Sequence, residues 1–184
     1  MGARSGNLDI RRAVRRGRIA LLAVLALGLS GCLVSEGPLV APGEAAFPLP
    51  DRASAERLSP NSDNTGWQHQ ANDSAYRSGS AYIVKRENSD DEMELTLKRI
   101  AENTFIAQTK GGEGGYLYGL LVFQGNTIYE YDVDCDDFDE GEARRYGLVK
   151  KDEDCTVTSA QGLAAGYLAQ LQKGRKPDTA YVLR

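Results

Sequence analysis

The sequence predicts an α+β, β-rich fold: an antiparallel meander sheet of six to eight strands, open or curled into a small barrel, with one C-terminal helix. Three observations carry that expectation. Between Ala81 and Val133, short runs of branched and aromatic residues recur, each bounded by glycines or polar turn residues. Apolar and polar residues alternate within the run from Glu92 to Arg99. After Thr158 the apolar spacing changes to that of a single amphipathic helix.

Taken in order, the chain opens with a basic lead of Arg11, Arg12, Arg15, Arg16 and Arg18. Eleven uncharged, mostly aliphatic residues follow from Ile19 to Leu29, and then Ser30, Gly31 and Cys32. Basic, apolar and small segments in that order make a secretory signal. The apolar run is too short to cross a bilayer as a stable helix, which takes roughly 20 residues. The paired arginines lack the Phe-Leu-Lys-like sequence that would mark twin-arginine export, and count as ordinary leader charge.

From Leu33 to about Ser80 the text is loop-like, holding five of the six prolines: Pro38, Pro42, Pro48, Pro50 and Pro60. Such spacing withholds backbone donors from a sheet and blocks helices. Residues 32–61 are therefore expected as a tether, with at most a helical turn at Ala53–Leu58, and 62–184 as the single globular domain. Trp67 and Tyr76 are expected to anchor the chain where it enters the core.

Strands are expected at Ala81–Arg86, Glu92–Arg99 and Thr104–Thr109. In the second, Met93, Leu95 and Leu97 share one face. The glycine-rich Lys110–Gly115 lacks any phosphate-loop spacing and reads as a wide turn. Tyr116–Gln124 is apolar on both faces, as suits a strand covered on each side. Gly125-Asn126 then fits a two-residue hairpin turn into Thr127–Val133. A further strand is expected through Arg145–Lys150.

The helix has clear punctuation. Thr158 and Gln161 form a T-x-x-Q capping box, and Ala164, Tyr167, Leu168 and Leu171 share a face. Gly174 suits the exit and Pro177 forbids continuation. Gly162 and Gly166, four apart, imply close approach to another surface, expected to be the sheet. Ala180–Leu183 is a candidate last strand.

The tetrapeptide Leu29-Ser30-Gly31-Cys32 resembles the lipobox of bacterial lipoprotein precursors, L-[AS]-[GA]-C, in the position where that class carries it. The resemblance implies that residues 1–31 are cleaved and that Cys32 becomes the lipid-bearing N-terminus, anchored by acyl chains. More loosely, the layout of 32–184 resembles small uncharacterised envelope lipoproteins of Gram-negative bacteria. Leu33, rather than aspartate, follows the cysteine, which implies the periplasmic face of the outer membrane. With Cys32 acylated, Cys135 and Cys155 remain as an even pair in an oxidising compartment, read as a disulfide or as two separate structural or reactive thiols.

Without the first 31 residues, which hold six arginines and Asp9, the chain keeps 16 basic and 25 acidic side chains, a balance of −9. That argues against nucleic acid as a partner and against a polybasic grip on anionic lipid.

No motif assigns an activity. Asp132, Asp134 and Asp136 imitate the start of a calcium loop, but Asp137 stands where that loop needs glycine and Ala143 where it needs an acid. Paired carboxylates could serve a hydrolase of envelope polysaccharide or peptide. Serine chemistry lacks a G-x-S-x-G, and His69 is the sole histidine. Tyr116, Tyr118, Tyr129 and Tyr131, on adjacent hairpin strands, form a candidate binding surface for a sugar or peptide, or a set of cross-strand packing pairs. No catalytic residue, cofactor or metal site is assigned. The expectation is a membrane-anchored periplasmic lipoprotein of unknown biochemical activity, a binding or structural module of the cell envelope with an envelope protein or glycan as candidate partner, and with a hydrolase and a calcium-responsive module as alternatives.

Overall fold

The computed structural model describes residues 33–87, 89–111, 114–151 and 154–184; residues 1–31, expected as a signal, and Cys32 lie outside these. In chain order the strands are β1 (Leu33–Ser35), β2 (Arg52–Pro60), β3 (Trp67–Ser78), β4 (Ala81–Arg86), β5 (Glu92–Ala101), β6 (Thr104–Lys110), β7 (Tyr116–Gln124) and β8 (Thr127–Tyr131). Helix α1 (Glu140–Arg145), β9 (Leu148–Lys151), β10 (Asp154–Val157), α2 (Ala160–Gln172) and β11 (Thr179–Leu183) complete the chain.

Strands β2 to β8 follow one another as antiparallel neighbours, and β11 pairs with both β8 and β2. Eight strands thus close into an up-and-down barrel, which leaves no unpaired edge in that ring. The hairpin between β7 and β8 turns on Gly125, whose φ of 60° is the left-handed region that glycine adopts without steric cost. Three short strands form a side sheet: β1 lies against the first residues of β7, pairs in parallel with β10, and β10 pairs antiparallel with β9.

The two faces of the barrel wall have different fates. On the outside of β2 to β5, Ser54, Asn72, Ser74, Lys85, Glu92 and Glu94 are exposed. A polar outer wall of this kind faces water; a membrane-spanning barrel needs an apolar belt there. The outside of β6 to β8 is instead covered by a buttress of β1, β9, β10 and the two helices. Leu33, Ile106, Leu120, Cys155, Leu163 and Tyr167 are almost wholly buried in that core.

Helix α2 starts one residue later than its capping box predicts. Ser159 is the cap, accepting from the Gly162 N–H at 3.0 Å, while the Thr158 hydroxyl donates to the Gly147 carbonyl. The buried face is also rotated from the expected one, to Leu163, Gly166, Tyr167 and Gln170. Gly162 and Gly166 approach the 138–146 segment, not the sheet. A Cβ on Gly162 would stand 2.1 Å from the Tyr146 carbonyl oxygen, and one on Gly166 would stand 3.1 Å from the Phe138 ring.

The largest correction concerns 32–61. Leu33–Ser35 and Arg52–Pro60 are strands, so the stretch expected as a tether, and the helical turn expected at Ala53–Leu58, belong to the sheet. The prolines fall in the crossing between β1 and β2 and at the end of β2, where no ladder donor is lost. Trp67 and Tyr76 lie on β3 and are 40% and 37% exposed, so neither anchors the core. The strand expected through Arg145–Lys150 begins only at Leu148, because Asp139 caps α1 ahead of it. Strand β10 has no signal in the sequence.

Candidate functional site: the barrel lumen

Strand register fixes which side chains point inward. Ala53 stands opposite Ala75, Ala75 opposite Val84, and Val84 opposite Met93. Since neighbours across a ladder share a face, these four line one wall of the lumen. Leu97, Ala107, Leu121, Phe123, Ile128 and Leu183 line the other. The small residues Ala53, Ala55 and Ala75 leave the first wall unfilled, and a cavity of about 100 Å³ remains. Its walls are almost entirely apolar, yet Ala53, Ala75, Val84, Met93 and Leu95 are only half-buried, because the lumen is open to solvent.

One end of the barrel is closed by a strap from the proline-rich stretch. Beyond the last β4–β5 pair, Ala46 N–H donates to the Leu97 carbonyl, taking the place that β4 has left. The Tyr82 hydroxyl donates to the Leu49 carbonyl at 2.7 Å and accepts from the Leu49 N–H at 3.1 Å. Phe47 packs edge-on against Tyr82, and the Arg77 guanidinium lies 3.6 Å above the Phe47 ring.

Charge is placed inside this otherwise apolar chamber. Asp73 and Glu130 are buried at 7% and 8% exposure, and Arg86 lines the same cavity. Arg57 Nε lies 3.3 Å from Asp73 Oδ2, while Asp73 Oδ1 is buried with no hydrogen-bond partner among the described residues. The Tyr181 hydroxyl donates to Glu130 Oε2 at 2.7 Å. Burial pushes the Glu130 carboxyl up from 4.5 to about 7; the Tyr181 hydrogen bond and the charge of Arg86 oppose that rise. The Tyr181 hydroxyl is itself pushed well above its usual range, by burial first and by the Glu130 charge second. The guanidinium of Arg86 has no hydrogen bond or salt bridge among the described residues, though its charge acts on both Glu130 and Tyr181.

The residues singled out from sequence lie elsewhere. Tyr116, Tyr118, Tyr129 and Tyr131 do share a face, but it is the outer face of β7 and β8, beneath the buttress. Tyr118 and Tyr131 are 1% and 8% exposed, and Tyr116 and Tyr129 pack against the same core. Ser35 Oγ and the Tyr118 hydroxyl are 2.6 Å apart, locking β1 to β7. Of the two readings offered for these tyrosines, packing pairs is the one that Tyr118 and Tyr131 fit, while Tyr116 and Tyr129 are only partly buried.

The acidic run is likewise consumed locally. Asp134 caps the short turn Cys135–Asp137 by accepting from the Asp136 N–H, Asp136 lies 3.4 Å from Lys150 Nζ, and Asp137 pairs with Arg175. Asp132 N–H donates to Asp178 Oδ2 at 2.9 Å. Among the described residues no three such side chains gather where they could hold a metal ion, so the calcium-loop imitation at 132, 134 and 136 is one of sequence only. Cys135 and Cys155 form a disulfide that ties this turn to β10 inside the buttress core.

Sequence reasoning singles out none of the lumen residues Arg57, Asp73, Arg86 and Glu130 as a site. A signal exists in Arg57 and Asp73, charged residues at inward positions of strands whose other inward residues are alanines. It becomes legible only once those strands are known. No family model, curated protein or solved structure matches this chain.

Proposed function

We propose that the chain is a membrane-anchored binding module of the cell envelope, held by lipid on Cys32 at the periplasmic face of the outer membrane, which takes a small molecule into the barrel lumen. The observation that carries the binding half is the unfilled, alanine-lined cavity with buried charges in its wall. Eight-stranded barrels have an interior just wide enough to be filled by side chains or to hold one small ligand. An empty apolar space forfeits packing contacts, and a buried polar group without a partner costs roughly 1–3 kcal/mol. A ligand would recover the packing contacts, and one that carries a donor would also satisfy Asp73 Oδ1. The anchoring half is supported by the lipobox-like Leu29-Ser30-Gly31-Cys32 alone; Leu33, directly after the cysteine, begins β1. Lipid and fold would then meet with no tether between them.

Titrating the chain with hexan-1-ol while following methyl resonances tests the binding half. Shifts confined to Ala75, Val84, Leu95 and Leu183 are expected; shifts absent from all four would remove the lumen as a binding element. Incorporation of labelled palmitate, lost on Cys32→Ser, tests the anchor.

A second reading, hydrolysis of envelope polysaccharide or peptide by paired carboxylates, draws on Asp73 and Glu130 lining one cavity, with Glu130 in the range of a proton donor near neutral pH. It has less support, because Arg57 occupies one carboxylate, Tyr181 hydrogen-bonds the other, and a chamber of about 100 Å³ holds no polymer segment. Turnover of envelope polymer that Glu130→Gln abolishes would favour it.

A further inference from the structure

The lumen carries more information than its shape, because its charges are not all paired with one another within the wall. Arg86 lines the chamber with two carboxyl groups, Asp73 and Glu130, and a second guanidinium, Arg57 of β2, reaches Asp73. Glu130 receives the Tyr181 hydroxyl, and no salt bridge joins it to Arg86 among the described residues. Arg86 is therefore the lumen cation without a direct partner, standing at the end of β4 opposite Asp73 of β3. An unpaired guanidinium with five donors beside an apolar chamber matches a planar, two-oxygen anion, which it can hold through two parallel hydrogen bonds.

We infer that the lumen selects small carboxylic acids: the apolar body lies among Ala75, Val84, Leu95 and Leu183, and the carboxylate takes hydrogen bonds from the Arg86 guanidinium beside the Glu130 carboxyl group. This rests on the lumen being the binding element. The size limit comes from the cavity, about 100 Å³, set against the dry cavity of about 150 Å³ known to admit benzene. The body is thus a short chain, not a long acyl chain.

The protonation of Glu130 gives the selection a direction with pH. The groups acting on it are Tyr181 from β11, Arg57 from β2, Arg86 from β4 and, beyond the end of its own strand, Asp132; Asp73 of β3 lines the same cavity. Burial holds the carboxyl near 7. Below that pH, Glu130 is neutral and can donate its proton in a hydrogen bond to a bound carboxylate. Above it, the two would be like charges in a medium that screens poorly, so a bound acid is disfavoured at alkaline pH.

The test compares three probes of equal length, hexanoate, hexan-1-ol and hexylamine, on the purified full chain by calorimetry and methyl shifts. At about pH 6, hexanoate is expected to bind roughly tenfold or more tightly than hexan-1-ol, with hexylamine weakest, as one charge-assisted pair would give. Arg86→Met should erase the preference for the acid over hexan-1-ol. At about pH 8.5 the acid should bind about tenfold more weakly, and Glu130→Gln should flatten that dependence. Equal binding of acid and alcohol, or a preference surviving Arg86→Met, overturns the inference while the lumen reading stands. Failure of both hexanoate and hexan-1-ol to shift any lumen methyl overturns the lumen reading and the inference with it. Should Arg86→Met not fold, the three-probe comparison on the unaltered chain decides alone.

Discussion

The outer side of β7 and the inner side of β3 belong to opposite walls of one barrel, built on the same alternating backbone and filled in opposite ways. Outside β7, Tyr118, Leu120 and Val122 meet Leu33, Leu163 and Tyr167 in a core with almost no accessible surface. Inside β3, Ala71, Asp73 and Ala75 present small or charged groups to a chamber that stays open. The first region commits its apolar residues to packing, and the second withholds them. Stability should therefore reside in the buttress and ligand binding in the lumen, two properties that substitution can separate.

A matched pair of truncations gives the largest expected difference. Leu163→Ala deletes a side chain only 1% exposed and leaves a hole that its rigid surroundings cannot fill. A loss of about 2–5 kcal/mol is expected in urea unfolding. Leu95→Ala removes the same atoms from a half-exposed lumen wall, where little surface is withdrawn from water, and should cost less than about 1 kcal/mol. Equal losses would mean that the lumen is packed as tightly as the buttress, contrary to the cavity.

The disulfide sharpens the same contrast. Cys135 and Cys155 are separated by 20 positions, and opening the bridge in the Cys135→Ser, Cys155→Ser double variant should lower stability by about 3 kcal/mol in the chain-entropy account. Both cysteines belong to the buttress core, so affinity for hexan-1-ol in the chain that remains folded should be unchanged. Loss of ligand binding at full folding would show the two regions to be coupled.

What the sequence makes legible follows this division. The strands expected at Ala81–Arg86 and Tyr116–Gln124 match β4 and β7, the hairpin at Gly125-Asn126 stands as read, and the late helix is present with its cap and buried face shifted, because each of these elements packs against a core. Strands β2 and β3 are hidden. Their inward residues, Ala53, Ala55, Arg57, Ala71, Asp73 and Ala75, carry no hydrophobic alternation, since the lumen they face is not filled. The prolines next to β2 then make a barrel strand read as tether. The same open space that creates the candidate site erases the pattern by which its strands would be recognised, a local conflict of the sort expected at functional sites. The buttress misleads in the other direction. Tyr116, Tyr118, Tyr129 and Tyr131 draw attention as a surface because sequence does not disclose that β1 and α2 return to cover them.

Glu130 gives a smaller effect with a defined sign. Its folded-state value of about 7 lies above the ordinary 4.5, so the folded protein binds more protons than the unfolded chain across that window. Stability should accordingly fall as pH rises from about 4.5 to 7, by no more than about 3 kcal/mol and by less where water enters the lumen. Glu130→Gln, neutral at every pH, should match the parent near pH 5 and exceed it near pH 8 in urea midpoint. An unchanged pH slope in the variant would mean that the carboxyl is better solvated than its burial implies.

The smallest stability effect belongs to the substitution that most directly separates the two regions. Ala75→Leu places three more carbons into the lumen from β3, between Ala53 of β2 and Val84 of β4. In the buttress an insertion of that size would force overlap and cost about 1–3 kcal/mol. In an open chamber of about 100 Å³ it meets space, and burial of the added carbons offsets the lost rotamer freedom, for a change within about 1 kcal/mol of zero. Yet the added side chain takes the volume assigned to the ligand body, so hexan-1-ol and hexanoate should both lose at least tenfold in affinity, and Arg86 should have no further influence on either. A protein that stays folded and stops binding is what an unfilled lumen demands. A variant that binds as before would locate the ligand elsewhere, and one that unfolds would mean that the space in the barrel is smaller than the register of β2, β3 and β4 allows.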